Sequence, residues 1–570
     1  MKFIHGYDER YLLGLEKHGL WNAESGLKVT QHFATPTAEK FNSLAAGGGK
    51  LQRLIRDRHC PLYIDRLQGG TFYQRYAFDL ALLREYQELL GDWFLGIQMH
   101  EWGSGCNADW NRIRNQLATT PPPWTEQQIH AAIKAVSVNQ ECIHLSCGTA
   151  LEYSRKHYAE TWPEYLDELA QLFQLRQDEN AGLLLPCDSY TQATGLEYQL
   201  GARTVMPEIG AQIPMTRLQV ALARGLSRAR GRPWGVYYEP WGGKPFSAPH
   251  FFDGPLNEWR VDKTSFAYDF TTYGPNGGSS RALQRRLYYY ALLSGAHYLA
   301  EEWGVSNTFQ NWRDYPLTPY GEIKKDFINF AATRPRLEPF VPFAIVLPRE
   351  CAVIDLFHLR SPETDVYLNR TLGPADRALF GHVRSVLRLF FAAAGTSLGN
   401  EAHVLTNNRL ADCFDVLDED AAATAGGQYS CLIDASPDCR VARANVGGQT
   451  RTLLSTDLAR LESEIMQMIG VEFPCTVGGG IHWLLNRQGQ QWWLALFNNN
   501  GVERSTEHGD SFLSEANLPA VIHFKREPAR LRLIKNWPAT QEPLVRQAAG
   551  RYICSVAPGG FCLLEFHLPG

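Results

Sequence analysis

His297-Tyr298-Leu299-Ala300-Glu301-Glu302-Trp303-Gly304 is an apolar run of strand length that ends abruptly in two carboxylates, an indole and a glycine. A strand covered on both faces reads as a short continuous apolar run, with polar residues only where it emerges from its cover. Six runs of the same texture precede it: Leu27 to Phe33, Pro61 to Arg66, Trp93 to His100, Leu183 to Ser189, Thr204 to Glu208 and Gly235 to Glu239. One more follows, Phe343 to Leu347. Helical spacing fills the intervals. Phe72, Tyr76, Leu80 and Leu83 share a face before the third run, and Tyr320, Ile323, Phe327, Ile328 and Ala331 do so after the seventh. Pro214 opens and Gly231 closes another helix. Eight strands with interleaved helices predict an α/β fold, a (β/α)8 TIM barrel over residues 1–341 with its last strand near 343–348.

The barrel does not use up the chain. At 570 residues the sequence exceeds what one core supports, since cores stop growing at roughly 250 to 300 residues. Residues 342–475 read as a smaller α/β domain, with a helix from His382 to Ala394, strands at Cys431 to Asp434 and Thr452 to Ser455, and a helix from Leu458 to Ile469. Residues 476–570 turn all β, with Ile481 to Leu485, Gln491 to Phe497, Arg530 to Leu533 and Phe561 to Phe566, which predicts a β-sandwich. Two barrel insertions stand out: residues 105 to 180, and a loop from Trp241 to Gly278 carrying Phe246, Phe251, Phe252, Trp259, Phe266, Tyr268 and Phe270. So many aromatics in a long loop predict a lid over a pocket.

Composition narrows the function. A net charge of -5 argues against nucleic acid as partner, and no apolar run approaches the ~20 residues of a membrane span. The twelve cysteines are scattered without a CxxC pair and read as buried free thiols, and the N-terminus lacks the apolar stretch of a secretory leader, which together favour the cytoplasm. His100 beside Glu101 has no second histidine at metal-ligand spacing, and no Walker-type loop or Gly-x-Ser-x-Gly elbow occurs, so neither metal nor cofactor is expected.

Barrel sites lie at the carboxyl ends of the strands. The polar residues there are Asp65, Glu101, Asp188, Glu208, Glu239, Glu301 and Glu302. Crowded buried carboxylates must share charge or shift their pKa values, which is what glycoside cleavage uses: one carboxyl protonates the leaving oxygen while another attacks or activates water. Glu302, Glu301, Glu239 and Glu208 are the catalytic candidates. Trp102, Trp241 and Trp303 follow acidic residues at three strand ends and offer apolar faces to a sugar ring, so they join Glu101, Asp188 and Asp65 as candidate substrate-binding residues. The blander reading is that such glutamates are salt-bridged, with Arg203, Arg217, Arg281 or Arg285 as partners, and that the tryptophans pack under the lid.

A barrel, then a smaller α/β domain, then a β-sandwich resembles the glycoside hydrolases of the clan that includes the family 42 β-galactosidases and the family 164 β-mannosidases. That resemblance implies a retaining enzyme with its acid/base glutamate after the fourth strand and its nucleophile after the seventh. On the strand count above the nucleophile falls at Glu301 or Glu302, of which Glu302, nearer the strand end, is preferred. The chain departs from the family at its fourth run, Leu185-Pro186-Cys187-Asp188-Ser189, which has no Asn-Glu pair; the acid is then Glu208 or Glu239. The resemblance further implies a homo-oligomer, trimer or dimer, joined through the middle domain, and a carbohydrate substrate. Two other readings are a catalytically silent carbohydrate-binding barrel and a metal-dependent barrel hydrolase.

Overall fold

The computed structural model describes residues 1–29, 37–65, 78–100, 162–188, 192–210, 215–240, 279–302, 304–353, 373–392, 404–443, 450–505, 509–538 and 544–569, with Trp102 and short pieces of the stretches between. The barrel begins at once. Its strands are β1 (Lys2–Gly6), β2 (Ser25–Val29), β3 (Leu62–Ile64), β4 (Phe94–His100), β5 (Leu184–Cys187), β6 (Glu208–Gly210), β7 (Gly235–Glu239) and β8 (Tyr298–Glu301). They pair in parallel in the order β5-β4-β3-β2-β1-β8-β7-β6. The ends of that order meet: Met206 N donates to Pro186 O at 2.9 Å and Glu208 N to Asp188 O at 3.1 Å, which closes the cylinder.

Two strand assignments from sequence change. Lys2 to Gly6 is a barrel strand that its lysine and histidine disguise: Phe3 packs toward the helices, Ile4 toward the barrel axis, and His5 is held neutral, its pKa pushed well down first by burial and then by Lys324. Phe343–Leu347, expected as the last barrel strand, instead lies between Phe414–Asp418 and Cys431–Asp434 in a separate parallel sheet. Its all-apolar Phe-Ala-Ile-Val-Leu suits any doubly covered parallel sheet, so local pattern has no means of choosing between the two. Every barrel strand from Leu27 onward therefore counts one higher than the sequence reading has it.

The second sheet contains β9 (Phe343–Leu347), β10 (Phe414–Asp418), β11 (Cys431–Asp434) and β12 (Arg451–Leu454), in the order β10-β9-β11-β12. Beyond it come two antiparallel sheets, built in part from β13 (His482–Gln488), β14 (Gln491–Phe497), β15 (Leu518–Phe524), β16 (Arg551–Val556) and β17 (Phe561–His567). Phe524 of one sheet meets Phe566 of the other at a ring separation of 4.9 Å. The nine cysteines among the described residues are free, and all but Cys439 are buried. Among the described residues no helix is long and apolar enough to cross a membrane.

The barrel and the second sheet are joined by buried charge. On helix α1 (Thr216–Arg230), Arg224 Nε donates to Asp415 Oδ1 at 2.6 Å and Arg228 Nη1 to Asp415 Oδ2 at 2.8 Å. Arg217, Tyr290 and His482 converge on Asp412 Oδ2 at 3.2, 2.8 and 3.0 Å, tying barrel helices, β13 and the segment before β10 to one carboxylate. Between the arginines the helix comes so close to β10 that a Cβ on Gly225 would lie 2.6 Å from Val416 O. Glycine to alanine inside an exposed helix gains about 1 kcal/mol. Here the sign should reverse: Gly225→Ala is expected to lower stability by about 1–3 kcal/mol, because the helix must back away from the strand. Thermal unfolding of the variant checks this, and a raised midpoint would contradict the packing described.

Candidate active site

Side chains alternate along the strands, with β4 changing phase at Gly96, whose φ is +116° and where the pairing with β3 shifts register, and two separate cores show which way each points. Ile4, Tyr63, Leu95, Leu185, Cys187, Met206, Tyr237, Tyr298 and Ala300 fill the barrel axis. Phe3, Leu27, Leu62, Ile97, Val236, Tyr238 and Leu299 belong to the core shared with the helices. Continuing the alternation to the carboxyl ends, Glu239 lies two residues after Tyr237, Glu302 two after Ala300, Glu208 two after Met206 and Asp65 two after Tyr63. All four are inward, and all are at most 3% exposed.

The contacts agree. Lys28 Nζ, from β2, donates to Asp65 Oδ2 at 2.7 Å and sits 4.9 Å above the Tyr237 ring, with Glu302 O 3.4 Å away. His100 at the end of β4 packs edge-on against the same tyrosine, at 5.9 Å, and its Nε2 lies 3.7 Å from Glu208 Oε2. Glu239 is level with Gly210 of β6, and Glu302 N donates to Tyr238 O at 2.9 Å. A Cβ on Gly210 would lie 1.9 Å from Glu239 O and 3.1 Å from Glu239 Oε2, and the residue has a φ of +148°. Glycine there lets the backbone pass under the Glu239 carboxylate. One end of the barrel thus gathers Asp65, Glu208, Glu239 and Glu302 with Lys28 and His100.

Glu301 belongs elsewhere. It faces the helices, where it is ion-paired with Lys324 of helix α2 (Pro319–Thr333) and accepts a hydrogen bond from Tyr288. Lys324 is 0% exposed and also reaches Tyr11 Oη at 3.3 Å, Asn307 Oδ1 at 3.2 Å and Gly304 O at 3.4 Å. Burial works to strip its proton, but the Glu301 charge and Tyr11 more than offset that and raise its pKa above the ordinary lysine value. Strand alternation made the two adjacent glutamates opposite in direction, as expected. Two of the arginines considered as partners serve other groups: Arg217 bonds Asp412, and Arg285 bonds Asp326 at 2.8 Å.

Asp188, one residue past inward Cys187, is 4% exposed and acts on Glu197, a residue the sequence reading passed over. Glu197 is 1% exposed, and its Oε1 accepts from Trp102 Nε1 at 2.6 Å. Burial, then the Asp188 charge, push the Glu197 carboxyl up to about 8, against the Trp102 hydrogen bond that lowers it. Glu197 lies in a short helical segment with no strand-end position to flag it. Trp102 is fully buried, against Phe173 at 5.0 Å, so the expected sugar-stacking face is covered by protein. Glu101, Trp241, Trp303 and most of the two insertions, the aromatic loop included, lie outside the described residues.

A cavity of about 570 Å³ has none of the six residues gathered at the barrel end in its lining, which includes Trp162, Leu196, Leu347, Asp418 and Arg440. Its two arginines are matched within that lining, Arg349 with Asp420 at 3.0 Å and Arg440 with Glu350 at 2.9 Å. The convergent carboxylates at the barrel end carry the stronger chemical signal.

No protein-family model matches the chain, and no curated protein matches it in sequence. Solved structures do. Gan42B, a GH42 β-galactosidase from G. stearothermophilus, aligns over 99% of this chain and 98% of its own, at 9% identity and a TM-score of 0.50. The fold is that of the GH42 β-galactosidases. Matches over the whole length at lower TM-scores include a β-galactosidase from Bacillus circulans sp. alkalophilus (9% identity, TM-score 0.49, 99% of each chain) and α-L-fucosidase isoenzyme 2 from Paenibacillus thiaminolyticus (9%, 0.43, 100% of each). In this GH42-like fold the fourth strand ends at His100, with Glu101 next in the chain, and the seventh ends at Glu239.

Proposed function

We propose that the chain is a retaining glycoside hydrolase with Glu239 as nucleophile and Glu101 as acid/base, acting on a β-galactoside or a related neutral sugar. The observation that carries this reading is the strand count. With Lys2–Gly6 as the first strand, the inward carboxylate at the end of the seventh is Glu239, and the glutamate directly after the fourth is Glu101. Those are the two places where the resemblance to family 42 expects the pair.

In the first step the Glu239 carboxylate bonds to the anomeric carbon as the glycosidic C–O bond breaks, and the Glu101 carboxyl gives its proton to the departing oxygen. In the second, Glu101 takes a proton from water, which attacks the anomeric carbon and releases Glu239. Glu302 and Glu208 are suited to hold sugar hydroxyls, since charged acceptors at fixed positions make the stronger hydrogen bonds. The Lys28–Asp65 pair braces the floor between β2 and β3.

The test is leaving-group dependence. On dinitrophenyl galactoside, whose leaving group needs no proton, Glu101→Gln is expected to keep most of the first-step rate. On a phenyl or alkyl galactoside it should lose about 10²–10⁴-fold, the size of a general-acid contribution. The parent should release β-galactose first, as NMR of the fresh product would show. Equal losses on both substrates would remove Glu101 from the acid role, and an inverted first product would remove the retaining mechanism.

A further inference from the structure

The cavity of about 570 Å³ lies where the second sheet meets the barrel. Across that sheet, β10-β9-β11-β12, the strands stand in the chain order second, first, third, fourth, so the chain passes to one side of β9 and then to the other. Open parallel sheets bind ligands outside the carboxyl ends of their strands at such a reversal. The cavity is lined from there: Leu347 to Glu350 end β9, Leu417 to Asp420 end β10, and Arg440 follows β11. The barrel supplies the other wall, through the helices Trp162–Glu179 and Thr194–Gln199 and through Leu222 of α1. Small-molecule sites are roughly 300–1,000 Å³ in volume and favour domain boundaries and sheet reversals, and this cavity meets all three conditions.

Nucleotides are the usual ligands at a reversal of this kind. This lining would repel a phosphate. It carries Asp167, Glu350, Asp418, Glu419 and Asp420 against Arg349 and Arg440. Both guanidiniums are already engaged, Arg349 with Asp420 at 3.0 Å, and Arg440 with Glu350 at 2.9 Å and Asp438 at 3.0 Å. Asp418 is engaged on one side. Its Oδ1 accepts from Ala421 N at 2.6 Å, which caps the helix Glu419–Ala425, while its Oδ2 lies over Gly195, where a Cβ would approach to 1.8 Å. Burial raises the Asp418 pKa above the ordinary aspartate value, against the Ala421 hydrogen bond and the Arg230 charge. A cation brought beside the carboxylate would relieve that cost.

Much of the remaining lining is apolar, Leu166, Leu196 and Leu347 included, and it holds one indole. Trp162 is fixed in place, its Nε1 donating to Asp376 Oδ1 at 2.7 Å and its ring edge-on to Phe380 at 5.5 Å. An indole among carboxylates attracts an organic cation twice, through their charge and through the ring quadrupole.

We infer that this cavity binds a small organic cation, an amine on an apolar body, with Asp418 receiving the ammonium while Trp162 and the leucines cover the body. The site is separate from the barrel-end carboxylates and does not depend on the function proposed for them.

Titration calorimetry of the full-length protein tests this with three probes of similar shape: phenethylamine, phenethyl alcohol and hydrocinnamate. Phenethylamine is expected to bind at one site, roughly 10-fold or more tighter than the alcohol, as a charged partner exceeds a neutral one, and hydrocinnamate is expected not to bind. Asp418→Asn keeps the helix cap, since Asn and Asp cap alike, and should weaken the amine roughly 10- to 100-fold with the alcohol unchanged. Ala170→Trp places an indole in the cavity with Asp418 intact, and should abolish binding of both. Glu302→Gln, at the barrel end, should bind the amine as the parent does. Loss in both cavity variants supports the inference. Amine binding retained in either, or lost in Glu302→Gln, overturns it, as does hydrocinnamate binding as tightly as the amine or an absence of heat from all three probes.

Discussion

Glu239→Ala is expected to lose roughly 10⁴-fold or more in kcat, and to regain turnover when azide is supplied, with the glycosyl azide formed in the opposite anomeric configuration to the substrate. The magnitude follows from removing a nucleophile that acts as one unit with its partner. Rescue follows from geometry. The missing carboxylate leaves space on the face of the sugar it would have attacked, and a small anion entering there meets the same anomeric carbon. Glu302→Gln, one strand along on the same inward layer, should behave differently. It trades a charged acceptor for a neutral one, a loss of about 1.5–3 kcal/mol or roughly 10- to 150-fold in kcat/KM, with no azide product. The reverse pattern, azide rescue of a Glu302 variant and a mild Glu239 variant, would move the nucleophile to β8 and undo the strand-count argument.

The largest effect on stability is expected at Lys324. Replacing it with methionine leaves the Glu301 carboxylate buried without its cation, and breaking one side of a buried pair typically costs about 3–5 kcal/mol. Taking away both charges is a different matter: Glu301→Leu combined with Lys324→Met should recover most of the loss, because neither ion then has to be desolvated. Unfolding midpoints of parent, single and double variants measure this directly. The double variant should also turn over substrate, since Glu301 faces the helices. A single variant as stable as the parent would deny the ion pair its weight, and a folded but inactive double variant would return Glu301 to the catalytic candidates.

Much of the site chemistry was legible in the letters. Short apolar runs ending in glutamate announce buried parallel strands with carboxylates at one end, and Glu208, Glu239 and Glu302 are all found inward at that end. The opposed directions of Glu301 and Glu302 follow from strand periodicity alone. The domain texture after the barrel was legible too, because the change from mixed to alternating β patterns is local. Trp102 shows the limit. Its place after Glu101 suggested a sugar-stacking face, yet whether an indole covers ligand or core depends on what packs over it, here Phe173 and Glu197.

The sequence by itself determined which residue types stand at the ends of which runs, and with them the reaction class to consider. Tertiary structure decided the count. Lys2–Gly6 becomes a barrel strand because it pairs with both Ser25–Val29 and Tyr298–Glu301, while Phe343–Leu347 leaves the barrel because its neighbours are Phe414–Asp418 and Cys431–Asp434. Pairing between residues tens to hundreds of positions apart has no local signature in a doubly buried strand, where both faces demand the same apolar side chains. That one displacement moves the proposed nucleophile from the glutamate pair at 301 and 302 to Glu239, and the proposed acid to Glu101.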